Sequence, residues 1–184
     1  MIDYAAHLSN QVPSTHTAVI AGFLDRANLP DEVVAFAACV LDALSERFMH
    51  MWRQALAPTE FERDLKNFLR TDTQQHAHAS PDVIVLAALA LAHGFLIDRL
   101  RSSRHWAVKE SDGMFSVREI EATKRAILED MDYGLFRIGE EEVRRVQGEM
   151  KRKMGKRRRT MSMSLDLKGA AVWSLGVLTP EPSP

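Results

Sequence analysis

Residues 80–98 read SPDVIVLAALALAHGFLID. Between Val83 and Ile97 the one strongly polar side chain is His93. A helix here is therefore apolar on every side and has to be wrapped by other elements rather than lie on a surface. The run falls short of the ~20 apolar residues that a membrane span requires. It is also closed by Asp82 at one end and by Asp98 and Arg99 at the other. Ser80, Pro81 and Asp82 supply a cap residue, a proline at the first helical position and an acid in the first turn. The stretch predicts the central helix of an all-α domain with no membrane association.

A second helix follows after a connection. Ser116 and Glu119 have the spacing of a capping box, with Phe115 and Ile120 at the positions of a hydrophobic staple, so the helix starts at Val117. Its apolar face is expected at Ile120, Ile127, Leu128, Met131 and Leu135. The connection holds Trp106 and a turn at Asp112-Gly113, and the helix ends on the step Asp132-Tyr133.

N-terminal to this pair, Val19, Ile20, Phe23, Leu24 and Ala27 mark a first helix after Pro13 and Ser14, and residues 1–13 read as an arm. Pro30 opens a helix whose first turn carries Asp31 and Glu32. Its apolar positions Val33, Ala37, Val40, Leu41, Leu44, Phe48, Met51 and Trp52 keep a three-four spacing for over five turns. Ala57-Pro58 interrupts that helix. Thr59 and Glu62 then open a short insertion from Glu60 to Leu69, and Thr71 to Ala79 reads as a polar loop. A last helix is expected from about Gly139 to about Lys153. The resulting organisation is an arm over 1–13, one helical domain over 14–153 and a tail over 154–184.

Composition narrows the function. With 184 residues, 46% of them apolar, the chain builds one core. The single Cys39 excludes an intramolecular disulfide framework and, without a nearby basic residue, reads as a small buried hydrophobe. With no basic-then-apolar leader, the expected location is intracellular, both nuclear and cytoplasmic. Residues 150–184 hold eight of the 24 Lys and Arg but two of the 25 Asp and Glu, which sets a basic tail apart from an acidic body. No Gly-rich phosphate loop, G-x-S-x-G or H-E-x-x-H occurs, so catalytic residues and cofactors are assigned as none. His76 and His78 lack the further ligands of a zinc site, and no metal is expected. His93 reads as a satisfied core histidine and His105 as packing or surface.

The series Trp106, Asp112-Gly113, Ser116, Glu119, Ile127-Leu128, Met131, Tyr133 and Leu135, following a buried small-residue helix, resembles helices three and four of a cyclin box. The likeness is to the fungal Pcl-type and phosphate-pathway cyclins, and it covers about three quarters of the chain. It implies a single cyclin box of five main helices with a short inserted helix and a basic C-terminal tail. It also implies a non-catalytic regulatory subunit that binds a cyclin-dependent protein kinase and controls its activity or substrate choice. Kinase contacts would fall on Gly94, Phe95, Asp98, Lys124 and Leu128. The family pattern has lysine and glutamate where this chain has Gly94 and Lys124, so both anchors differ and one reverses charge. A degenerate scaffold, or a transcription adaptor that binds proteins without activating a kinase, is the alternative.

Seven of the nine residues from Lys151 to Arg159 are basic: Lys151, Arg152, Lys153, Lys156, Arg157, Arg158 and Arg159. This density suits a nuclear import receptor ahead of nucleic acid, because no aromatic residues are interleaved, and a solvated charge run is the plain alternative. Thr160, Ser162 and Ser164 follow the run as sites for basophilic kinases. Thr179 and Ser183, each before a proline, are sites for proline-directed kinases.

Overall fold

A computed structural model describes residues 2–57, 80–98 and 101–152 of the chain. Those residues are all-helical, with no strand among them. The described residues up to Met150 belong to one compact unit.

The apolar run does what its composition demands. Helix α5 spans Asp82–Leu96, and every residue from Asp82 to His93 is buried. Four other helices pack on the unit around it: α1 (Ile2–Ser9), α2 (Thr17–Ala27), α3 (Asp31–Asp42) and α6 (Val117–Asp130). Helix α3 and helix α6 supply most of the wrapping, and α4 (Phe48–Leu56) packs on α6. Helix α7, residues 140–152, buries Val143, Val146 and Met150. Burying a Leu or Ile side chain is worth ~1.5 to 3 kcal/mol, so the unbroken apolar surface of α5 is the main reason these helices assemble.

The end chemistry of α6 follows the sequence. The Ser116 hydroxyl accepts the Glu119 N–H at 3.2 Å, and the Glu119 carboxylate accepts the Ser116 N–H at 2.7 Å. Phe115 and Ile120 are both buried. Asp112 and Gly113 both take left-handed backbone, with φ of 56° and 72°, which turns the chain into that cap.

Three expectations require correction. The segment read as an arm contains α1, with Tyr4, Ala5, Leu8 and Val12 buried against the rest of the unit. Burial pushes the Tyr4 hydroxyl above its ordinary pKa, and a hydrogen bond to Asp31 adds to this. The long helix from Pro30 to Trp52 is two helices, α3 and α4, separated at residues 43–47. There the Asp130 carboxylate accepts the Ser45 N–H at 2.8 Å and the Ser45 hydroxyl at 2.6 Å. The break is a tertiary contact and leaves no local mark, because the apolar spacing runs through it. Lastly, Leu128 and Met131 are half-buried, while Thr123 and Ala126 are fully buried on α6. Thr123 faces the interior because its hydroxyl accepts the Trp52 indole N–H at 2.9 Å.

The short helix proposed over residues 60–69, the loop over 71–79 with His76 and His78, and the tail from Lys153 onward, including Lys156 to Ser164, Thr179 and Ser183, lie outside the described residues.

Candidate functional site

The C-terminal end of α5 is where the buried helix reaches the surface. His93 is the last buried position, and Gly94, Phe95 and Leu96 are exposed. The Phe95 ring stacks on Phe36 of α3 with centroids 5.1 Å apart and still shows 48% of its surface. The helix closes with the Ile97 N–H donating to the His93 carbonyl, and Asp98 follows, exposed, in a bend.

The other expected residues lie on α6. Lys124 is three quarters buried along its stem, and its ammonium donates to Glu121 Oε1 and to Ser103 Oγ, each at 3.3 Å. The Ser103 hydroxyl also donates to Glu121. That bond first, and Lys124 after it, holds the Glu121 carboxyl below the usual carboxylate range against the opposing cost of burial. A carboxylate therefore stands one helical turn before the lysine. Glu121 and Ser103 did not stand out in the sequence. The signal available was the i, i+3 spacing of Glu121 and Lys124, while Ser103 reaches them only through the fold. Leu128, one turn beyond Lys124, is half-buried.

Behind the α5 terminus lies a polar cluster. Trp106 is buried at the start of a π-helix, Trp106–Glu110, which continues a short turn, Ser103–His105. Glu110 is buried too, and its Oε1 receives Arg101 Nη1 at 2.9 Å and meets His105 Nε2 at 3.0 Å. Arg101 Nη1 also donates to the Ala27 carbonyl at 3.0 Å, and Arg26 Nε donates to the Glu110 carbonyl at 2.7 Å. Both arginines thus tie α2 to the π-helix. His93 is buried as expected, but among the described residues its Nδ1 has no hydrogen-bond partner.

A separate open pocket of about 390 Å³ lies elsewhere, lined by Cys39, Asp42, Asp130, Asp132, Arg137 and Glu142 among others. Burial pushes the Cys39 thiol up to about 11, with Glu142 adding to the shift. A thiol so placed is a poor nucleophile. Among the described residues no group of three acidic, histidine or cysteine side chains is placed to hold a metal ion, and no helix is long and apolar enough to cross a membrane.

No family model, curated protein or solved structure matches this chain.

Proposed function

We propose that this chain is a cyclin-like regulatory subunit that binds a cyclin-dependent protein kinase through the surface at the C-terminal end of α5. The observation that carries the reading is the exposure of Phe95 and Leu96 immediately after eleven residues, 83–93, that are all buried. A central helix wrapped by α2, α3 and α6 presents those side chains on a rigid support. Aromatic and aliphatic side chains held this way make good anchors for a partner. Asp98 follows them in the chain, and α6, which packs on α5, carries the Glu121–Lys124 pair, charges suited to setting orientation. Glu121 offers a carboxylate close to the position where the family pattern has one. The subunit works by binding one kinase conformation better than another, so it needs no reactive groups of its own.

Affinity purification of the full chain with mass spectrometry tests the reading. Recovery of a protein kinase with wild type but not with Phe95→Asp supports it. Wild-type bait that repeatedly recovers no kinase leaves the alternative, a helical scaffold or transcription adaptor. The basic run from Lys151 to Arg159 is proposed to engage an import receptor. Changing Lys156 to Arg159 to Ala in a fluorescent fusion is expected to lower nuclear accumulation, and an unaltered distribution removes that role.

A further inference from the structure

We propose that His93 is a proton-operated latch: neutral, it clamps the last turn of α5 against Trp106 and the π-helix, and protonation releases that clamp.

The geometry supplies the parts. The His93 ring meets the Trp106 indole edge to face, with centroids 5.9 Å apart and planes at 76°. The Arg101 guanidinium lies over the same indole, 5.8 Å from its centroid. Among the described residues, the charged and titratable groups at this junction are Arg101, His105 and Glu110 from the connection and the π-helix, and Arg26 from α2, which donates to the Glu110 carbonyl. The carboxylate in that group, Glu110, meets Arg101 and His105 through Oε1. A neutral imidazole needs one acceptor for its N–H, whereas imidazolium needs two. In the imidazolium form Nδ1 must carry a proton, and that atom is buried with no hydrogen-bond partner among the described residues and in the field of Arg101. Burial lowers the His93 pKa below 6.5; Arg101 lowers it further, Glu110 opposes the shift and His105 adds to it.

The direction of the switch follows from linkage. Well above pH 6.5, the ordinary value, His93 is neutral whether folded or unfolded, and the junction is at full strength. As pH falls through 6.5 the unfolded chain gains a proton that the folded chain refuses, so the junction weakens on the acid side. The affected elements are local. The final backbone bond of α5 is accepted by the His93 carbonyl, and the π-helix holds Trp106 through an irregular turn of the kind common at functional sites. Gly94, Phe95 and Leu96 come next, so mild acid would also loosen the partner surface. That consequence rests on the kinase-binding reading; the latch does not.

The test is an NMR titration of the full chain, labelled in histidine rings and tryptophan, from pH 8 to pH 5. The expected result is a His93 midpoint below 6.5, with the Trp106 indole signal and amide exchange of residues 106–111 changing at the same midpoint. Arg101→Gln should move that midpoint upward. Denaturant unfolding gives a second readout. Between pH 7.5 and 5.5 the wild-type folding constant should fall by up to about tenfold more than that of His93→Gln. A His93 midpoint at or above 6.5, a titration that leaves Trp106 unmoved, or equal pH dependence in the two proteins would overturn the latch. All readouts use the protein alone, so failure to recover a kinase bears on the functional reading and not on this one.

Discussion

His16 and Asp82, 66 residues apart in sequence, are joined twice: the Asp82 carboxylate accepts the His16 backbone N–H through Oδ1 at 2.6 Å and meets the ring Nδ1 through Oδ2 at 2.8 Å. The Ser80 hydroxyl donates to Oδ2 as well, at 2.6 Å. Asp82 is buried, so one carboxylate satisfies a free N–H at the start of α2 while sitting in the first turn of α5. The pairing of an aspartate with a histidine resembles half of a hydrolytic triad, yet the Asp82 oxygens are occupied in capping, and that use accounts for their placement.

Asp82→Asn keeps the shape and removes the charge. The expected loss of stability is ~1.5 to 3 kcal/mol, the range for hydrogen bonds to a charged group. His16→Ala should cost less, because the backbone N–H remains and the ring is largely exposed. Urea denaturation of both variants at neutral pH checks the order.

Leu89 has no exposed surface, whereas Leu128 is half-buried. Leu89→Ala should lower stability by ~2 to 5 kcal/mol through lost contacts and a residual cavity. Leu128→Ala should cost clearly less. Equal losses in thermal melts would mean that Leu128 is packed more tightly than its exposure indicates.

With its pKa at about 11, Cys39 is nearly all thiol at pH 7.5 and is also buried. Reaction with Ellman's reagent should be slower than that of a small-molecule thiol by at least about a hundredfold, and unfolding in guanidinium should restore the ordinary rate. A fast reaction in the folded protein would show that the pocket opens to expose the sulfur.

Gly94→Lys combined with Lys124→Glu tests whether a recovered kinase is matched to this surface. If it has adapted to the altered anchors, affinity should fall on titration calorimetry; if the surface has merely drifted, affinity should rise. The structure adds a specific cost to Lys124→Glu. The new carboxylate lies one turn from Glu121, so the like-charge pair at i, i+3 should lower helix stability by ~0.2 to 0.5 kcal/mol. Lys124→Gln separates that local effect from any change in binding.

Periodicity and end chemistry were legible in the residues alone. An apolar run with one polar member can only be a wrapped helix, and the Ser116–Glu119 box starts a helix whatever surrounds it, because both signals act between residues a few positions apart. The buried face of α2 was equally plain at Ile20, Phe23, Leu24 and Ala27. Of the candidate site, Phe95 could be named from the sequence. Its exposure could not, since the same apolar run reads identically on both sides of His93.

The tertiary structure decided whatever depends on partners distant in sequence. Ser45 breaks α3 from α4 because Asp130, 85 residues away, captures it. Asp82 is buried instead of solvated because His16 reaches it, and Glu121 is held ionised because Ser103 comes to it from another turn. His93 was read as satisfied, since most buried imidazoles are. Only the packing of the chain around it, with Trp106 against the ring, leaves Nδ1 buried without a hydrogen-bond partner among the described residues.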